Sequence, residues 1–373
     1  MDTPIDGTCD RRFAKVRDEF ARNFAERTER GGAVAIWHKG APVVDLWGGW
    51  ADVARERAWQ RDTLVNVFSV SKAMCTIACM RLVDRGELDL DATVAHYWPE
   101  FAAASKQEIT VRQLLSHQAG LPAIRKDLPD GAAMDWEVMV TALAKQSPWW
   151  KPGDAHGYHV NTFGFLAGEL VRRIDGRSIG TLLREDVTAP LDADFFVGLP
   201  AAEHHRVSDF LWPGNPPKPA LPDDNALMHW NTYWNPPGFS GSHWVNQPRW
   251  RSAEVPSTNG HGNARGVAMI YAALIAGDVL SRGALAAATT EQVNGHDLIN
   301  NRPSRFGIGF QLTQPERPLG PNPGAFGHFG AGGSLGFCDP QAGIAFAYVT
   351  NDMGPRWQNP RNRALIEALY SAV

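Results

Sequence analysis

One stretch organises this chain: Asn66-Val-Phe-Ser-Val-Ser-Lys-Ala-Met-Cys-Thr-Ile-Ala-Cys-Met-Arg-Leu82. Its apolar residues recur at helical spacing without Gly or Pro, which predicts a buried helix beginning near Phe68. Ser69 and Lys72 are three residues apart and therefore lie on the same face, one turn apart. The serine falls in the first turn, where free backbone N–H groups and the positive end of the helix dipole collect. This position favours a nucleophile at Ser69.

A lysine inside an apolar helix is costly, because burial disfavours its charged form. Two interpretations of the pair are open at this point. Ser69 could cap the helix while the Lys72 ammonium reaches solvent, or the pair could be a nucleophile with its base. Ser71 is a second candidate hydroxyl, but it faces a different side of the helix from Lys72.

Composition limits the class of protein. The 373 residues allow one large or two closely joined domains, and a net charge of −4 offers no basic stripe for nucleic acid. The chain start lacks a signal-peptide pattern, and no eighteen apolar residues run together. We therefore expect a cytoplasmic protein without nucleic-acid or membrane partners, and the oligomeric state stays open.

Neither the four cysteines nor the twelve histidines are spaced like metal ligands. Cys75 and Cys79 lie on the central helix, where small buried thiols are common. Neither His-Glu-x-x-His nor Cys-x-x-Cys occurs. The sequence therefore predicts neither a metal site nor a cofactor.

The order of the elements predicts an α/β fold of the α+β type. The pattern predicts one antiparallel sheet built from both chain ends and flanked by helices, with an all-helical region inserted. We expect an α/β sheet domain from residues 1–62 and 295–373, and a mainly helical domain from residues 63–294. Strands are predicted over residues 32–38, 42–48, 306–312, 325–329, 334–338 and 344–349. Helices are predicted over residues 11–28, 109–117, 136–145, 162–174, 179–186, 264–276, 284–293 and 361–370.

A Trp- and Pro-rich stretch over residues 211–252 reads as a long loop. It contains five tryptophans, which argue against disorder. A connection of this length is usually functional, so we expect it to cover another part of the protein, and its tryptophans would supply apolar walls if it folds over the active-site groove. Trp234 and Trp244 are its predicted substrate-binding residues.

Two further stretches offer groups that could serve Ser69. Tyr158 stands where a loop enters a helix, a position that also suits a packing anchor. Residues 326–334 begin as a strand and continue with glycines, which allow a substrate to lie against the backbone or mark only a bulge.

In order and separation, these three stretches resemble the boxes of the serine β-lactamase and penicillin-binding-protein superfamily: Ser-x-x-Lys, Tyr-x-Asn or Ser-x-Asn, and Lys-Thr-Gly. The chain is most similar to the class C-like family VIII carboxylesterases, over nearly its whole length. The resemblance implies a β-lactamase/DD-peptidase-like fold with the active site between the sheet and the helical region. It makes Ser69 the nucleophile, Lys72 its neighbour in proton transfer and Tyr158 the general base.

By the same analogy, the backbone N–H groups of Ser69 and Ala331 form the oxyanion hole. The second box is one residue longer than the family pattern, so the role of its asparagine is not carried over to Asn161. The third box has His328-Phe329-Gly330 in place of Lys-Thr-Gly. These three residues are predicted to bind substrate, and the missing lysine favours neutral esters over β-lactams.

Ser69, Lys72 and Tyr158 suit nucleophilic catalysis on chemical grounds as well. A serine needs a base, and a lysine or tyrosine serves only if its pKa is shifted toward neutrality. The ammonium favours the phenolate and desolvation favours the neutral amine, so the two can share a proton. The sequence leaves open whether Lys72 or Tyr158 accepts the serine proton first.

A Gly-x-Ser-x-Gly motif around Ser334 suggests a different hydrolase fold. In that fold the triad histidine follows the serine, whereas here no histidine follows His328. A helix should also follow the serine, but the sequence after Ser334 predicts a strand. We therefore set this motif aside.

Together the residues and the resemblance predict a serine carboxylesterase. It would act through an acyl-enzyme on short-chain carboxylic esters, with weak β-lactamase activity, and a small-molecule ester and water would be its partners. An amidase, β-lactamase or acyltransferase with the same residues is the first alternative. An inactive binding protein with this fold is the second.

Overall fold

The computed structural model describes residues 3–355 and 358–373. Within these ranges the chain forms twelve strands and twelve α-helices. The strands are β1 (Ile5–Cys9), β2 (Gly31–His38), β3 (Ala41–Gly49), β4 (Val65–Asn66), β5 (Phe195–Phe196), β6 (His261–Gly262), β7 (Val293–Asp297), β8 (Arg302–Phe306), β9 (Gln311–Leu312), β10 (Phe326–Phe329), β11 (Leu335–Asp339) and β12 (Ile344–Thr350). The helices are α1 (Ala14–Glu26), α2 (Val70–Asp84), α3 (Val94–Tyr97), α4 (Val111–Leu115), α5 (Trp136–Lys145), α6 (Phe163–Asp175), α7 (Ile179–Leu183), α8 (Asp224–Trp234), α9 (Pro248–Ser252), α10 (Ala264–Ala276), α11 (Arg282–Thr289) and α12 (Pro360–Tyr370).

Nine strands form one antiparallel sheet from both ends of the chain, in the order β1-β3-β2-β12-β11-β10-β9-β8-β7. At its centre β2, near the start of the chain, pairs with β12, near the end. This arrangement confirms the predicted fold class. The remaining strands, β4, β6 and β5, form a small second sheet.

Both faces of the central sheet are covered. All eight residues of β2 are buried, which explains its continuous run of apolar and small residues. Val34 and Ile36 pack with residues of α1 and α12, whereas Ala33, Ala35 and Trp37 belong to the large core on the other face. Successive side chains of β2 therefore point to opposite faces of the sheet and pack in two different cores, as the strand geometry requires.

The central helix α2 is buried on every side, and twelve of its residues, including Lys72, are inaccessible to solvent. It packs against α6, α11 and β10. This confirms the predicted buried helix, which begins at Val70 with Ser69 at its N-cap. The helix thus carries its amine into the protein interior.

Two segments are not continuous over the ranges predicted for them. The strand predicted over 306–312 is interrupted, because Gly309 has a φ of +67° and separates β8 from β9. The helix predicted to reach residue 293 ends at Thr289. There the hydroxyls of Thr289 and Thr290 donate to helix carbonyls, and β7 follows.

The segment 211–252 contains α8 and α9, so the expectation of one long loop is wrong. Asp223 caps α8, since its side chain accepts from the Ala226 N–H. Pro248 opens α9, a position that suits its fixed φ. Both start signals stand in the sequence.

Helix α10 packs against β12, β2 and β11. It lies within the predicted helical region, yet it covers one face of the sheet. The proposed domain boundaries stay a prediction. Across residues 3–355 and 358–373, no helix is both long and apolar enough to cross a lipid bilayer.

Candidate active site

Ser69 sits at the start of α2, just after a residue in an unusual conformation. Phe68 has a φ of +49°, in the left-handed region that non-glycine residues rarely adopt. The buried hydroxyl of Ser71 donates to the Phe68 carbonyl and accepts from the Gly260 N–H. Ser71 therefore has structural partners of its own, while Ser69 is only half-buried.

Lys72 reaches the serine from one turn further along the helix. Its Nζ lies 3.0 Å from Ser69 Oγ and 3.1 Å from the Ser257 carbonyl oxygen. Burial lowers the pKa of Lys72 to about 7, because the interior disfavours the ammonium. The interpretation in which the Lys72 ammonium reaches solvent is therefore wrong.

Tyr158 completes a three-residue cluster. Its side chain is hydrogen-bonded to Ser69, and its ring centroid lies 4.9 Å from Lys72 Nζ. Burial raises the pKa of Tyr158 well above its usual value, because it disfavours the phenolate. Its backbone N–H donates to the buried carboxylate of Asp297 at 3.1 Å.

His328 lies beneath Tyr158 and is fully buried. Its Nδ1 is 2.7 Å from the Phe329 carbonyl oxygen, which assigns the proton to Nδ1. Its Nε2 is then an acceptor, 3.4 Å from the Tyr158 hydroxyl. Burial and the neighbouring Lys72 lower the pKa of His328 well below its usual value, so the imidazole is neutral.

The other two residues of the third box differ in what they offer to a substrate. The Phe329 side chain packs in the core between the sheet, α1 and α12, so a substrate contact through this side chain is ruled out. Gly330 faces the nucleophile's segment. A Cβ at Gly330 would lie 2.4 Å from the Val67 carbonyl oxygen, so only glycine fits there.

Two backbone N–H groups follow closely in the chain after the contact between Val67 and Gly330. Ser69 is the N-cap of α2, and Ala331 is the first residue of the 3-10 turn Ala331–Gly333. N–H groups at such starts have no partner inside their own helix. Both residues are half-buried, so neither is sealed in the protein interior.

The hydrogen-bond partners of Asn161 lie outside the cluster of Ser69, Lys72 and Tyr158. Its Nδ2 donates to the Thr232 carbonyl and to Ser240 Oγ, both at 2.9 Å, and its Oδ1 accepts from Thr258 Oγ1 at 2.7 Å. Asn161 thus ties the second box to the segment 211–252. Its spacing from Tyr158 did not predict these partners.

The tryptophans of the segment 211–252 are spread over several environments. Trp212 lies 6.2 Å from the Phe68 ring, whereas Trp250 is fully buried and donates to Asn66. Trp234 stacks on Trp230 beside a cavity of about 370 Å³. Trp244 donates to Asp130.

Asp297 was missed by the sequence analysis. Its fully buried carboxylate accepts from the backbone of Tyr158, Ile299 and Asn300 and from Ser304 Oγ. An aspartate followed closely by two asparagines is typical of a side-chain-capped turn, and this was the available signal. Within residues 3–355 and 358–373, no cluster of three or more His, Cys, Asp and Glu residues could hold a metal ion.

The structure also rules out the alternative serine motif. Ser334 is fully buried, its Oγ accepts from the Thr350 N–H, and β11 follows it.

Comparisons with known proteins agree with this geometry. The beta-lactamase family model matches residues 20–370. The esterase/beta-lactamase LipL of Mycobacterium tuberculosis is 35% identical over 360 residues, covering 92% of this chain and 82% of LipL. A crystal structure of a family VIII carboxylesterase is 41% identical, with a TM-score of 0.92, over 99% of this chain and 100% of that one. A penicillin-binding-protein homologue from Caulobacter crescentus is 39% identical, with a TM-score of 0.91 and the same coverage.

Proposed function

The chain belongs to the beta-lactamase family, and from this premise we propose that it is a serine carboxylesterase acting on short-chain esters through an acyl-enzyme. One observation carries the proposal. A half-buried serine hydroxyl is 3.0 Å from a buried lysine amine and is hydrogen-bonded to a tyrosine. The names of LipL and of the family VIII carboxylesterase support the choice of ester hydrolysis.

Lys72 is the first proton acceptor in this proposal. A pKa of about 7 makes much of the amine neutral near neutral pH, whereas Tyr158 holds its proton because its pKa is raised. Ser69 Oγ attacks the ester carbon while its proton moves to Lys72 Nζ. The resulting ammonium faces the Tyr158 ring and is stabilised there by a cation–π contact.

The oxyanion of the tetrahedral intermediate binds between the N–H groups of Ser69 and Ala331. When the intermediate collapses, the alkoxide leaves and takes a proton from the Tyr158 hydroxyl, which is replenished from Lys72. The product of this half-reaction is an acyl group on Ser69. Water then attacks the acyl carbon with the same groups in reverse roles and releases the acid.

A fluorophosphonate probe distinguishes this enzyme from an inactive binding protein. We expect one probe to attach covalently per chain, and mass spectrometry of the digested protein to place it on Ser69. The wild type should also hydrolyse p-nitrophenyl butyrate. A protein that neither reacts with the probe nor hydrolyses esters would support the binding-protein alternative.

The pH dependence follows from the lowered pKa of Lys72. Neutral Lys72 is the active form, so kcat/KM for p-nitrophenyl butyrate should rise with pH through about 7 and then level off. The histidines near the site do not explain such a limb, since burial lowers the pKa of His159 to about 4 and those of His117 and His328 well below the usual value. A profile that is flat between pH 6 and 8 would contradict the assignment.

Substrate preference should favour neutral esters over β-lactams. The third box supplies a neutral, buried His328 instead of a lysine that could pair with a β-lactam carboxylate. Loss of one charge-assisted hydrogen bond costs roughly 1.5–3 kcal/mol, or about ten- to more than a hundredfold in kcat/KM. We expect kcat/KM for p-nitrophenyl butyrate to exceed that for a chromogenic cephalosporin by at least about this factor. A preference for the cephalosporin would favour the β-lactamase alternative.

We keep Trp234 and Trp244 as proposed substrate contacts, and add Trp212 because of its place beside Phe68. The cytoplasmic location and the choice of a small-molecule ester as partner are likewise part of the proposal.

An amidase or acyltransferase would use the same cluster, and a panel of esters and amides separates these activities.

A further inference from the structure

The orientation of the Ala331 N–H depends on the turn that carries it. The Gly330 carbonyl oxygen accepts from the Gly333 N–H at 3.2 Å. Because a peptide unit is planar and trans, the Gly330 carbonyl and the Ala331 N–H point in opposite directions. The bond to Gly333 therefore turns the Ala331 N–H away from the interior of the turn. Any movement of Gly333 would redirect this donor.

Two buried asparagines at the start of α12 hold the rest of the turn. Asn359 Nδ2 donates to the Gly332 carbonyl at 3.1 Å, and Asn362 Nδ2 donates to the Gly333 carbonyl at 2.9 Å. Gly332 and Gly333 have φ values of +83° and +112°, which residues with a side chain rarely adopt. The fit is close, because a Cβ at Gly333 would lie 2.3 Å from Asn359 Nδ2.

The side-chain oxygen and the side-chain nitrogen of each asparagine have different partners. Asn359 Oδ1 accepts from the Arg361 N–H and Asn362 Oδ1 accepts from the Asn359 N–H, both at 3.0 Å, so the oxygens cap α12. The nitrogens are thereby aimed at the turn. A buried ion pair between Arg361 and Glu29, at 3.1 Å, anchors the helix start to the protein interior.

We propose that Asn359 and Asn362 are positioning residues of the oxyanion hole, whose amide groups fix the turn that aims the Ala331 N–H at the developing oxyanion. This inference rests on the proposed function, which assigns the oxyanion to Ala331. A donor that acts on the transition state raises kcat without tightening substrate binding. We call the hydrogen bonds from Asn359 and Asn362 to the turn the clamp. Loss of the clamp should therefore lower kcat and leave KM nearly unchanged.

Asn362→Asp and Asn359→Asp separate the two uses of each side chain. Aspartate retains an oxygen for the helix cap, but it loses the N–H donor and places a carboxylate oxygen opposite a carbonyl oxygen. For p-nitrophenyl butyrate we expect kcat to fall about ten- to a hundredfold, less than the 10²–10³ of a deleted oxyanion donor. KM should stay within about twofold. The second-order rate constant for fluorophosphonate labelling of Ser69 should fall by a factor similar to that of kcat, since it requires the same hole but no ester turnover.

Asn23→Asp is the matched control. Asn23 is fully buried on α1 and donates to the Arg361 carbonyl at 3.4 Å, so it contacts α12 away from the turn. We expect this variant to lower the melting temperature while kcat and the labelling rate stay within about threefold of wild type. Folded Asn362→Asp or Asn359→Asp protein with wild-type kcat and labelling rate would overturn the clamp. A wild type that is labelled but hydrolyses no ester would overturn only the esterase proposal, and the labelling rates would still decide the clamp. A wild type that is neither labelled nor active would overturn both.

Discussion

Ser69→Ala is expected to lower kcat for p-nitrophenyl butyrate by about 10⁵- to 10⁶-fold, since the nucleophile is lost while the fold is kept. Ser69 is only half-buried and its side chain contacts Lys72 Nζ and Tyr158. Removing one oxygen atom therefore costs little packing. Circular dichroism and the melting temperature would show an intact protein, and fluorophosphonate labelling should disappear.

Ser334→Ala is the paired control for this experiment. The Ser334 hydroxyl accepts from the Thr350 N–H and is fully buried, so its loss costs stability of about 1–3 kcal/mol and should leave most of the activity. Retained hydrolysis in Ser69→Ala together with lost hydrolysis in Ser334→Ala would overturn the assignment of the nucleophile.

The pairing of Ser69 with Lys72 was predictable because it is local. Two residues three apart on one helix share a face whatever the rest of the fold does. The apolar composition of the helix also indicated that the lysine would be buried, and burial is the cause of its lowered pKa.

The remaining site groups depend on contacts between distant parts of the sequence. Tyr158 and His328 meet only because β10 lies beside the loop before α6. Their spacing in the sequence does not associate them, and only the family resemblance does. The roles of Asn161 and Asn362 were not predictable. Each side chain hydrogen-bonds to main-chain groups. Because residues of every type carry a backbone carbonyl, the sequence does not show which of them will be the partner.

Segment boundaries failed for a related reason. A glycine with positive φ interrupts the strand predicted over 306–312, and α11 ends early because Thr290 is extended, with a ψ of 130°. Both effects depend on backbone conformation, which the alternation of apolar residues does not report. The helices α5 and α10 were predicted with their observed limits, because their periodic patterns are uninterrupted.

Lys72→Ala and Tyr158→Phe are each expected to lower kcat about 10³- to 10⁴-fold, because each removes one member of a shared proton-transfer unit. Lys72→Met would remove the amine while filling its space, so a similar loss in that variant shows that chemistry rather than packing is affected. Tyr271→Phe is the matched tyrosine control. It deletes a buried hydroxyl for which the described residues offer no hydrogen-bond partner, and it should leave kcat unchanged.

The double variant Lys72→Ala/Tyr158→Phe distinguishes a shared proton from two separate roles. The lysine amine and the tyrosine hydroxyl both contact Ser69 Oγ, so one proton path passes through both groups. Once either group is missing the path is broken, and removing the second should cost little more, because residues that act as a unit are strongly non-additive. We therefore expect kcat of the double variant within about tenfold of the worse single variant. Losses that multiply would mean that Lys72 and Tyr158 act in separate steps, and a Tyr158→Phe enzyme near wild type would leave Lys72 as the sole base.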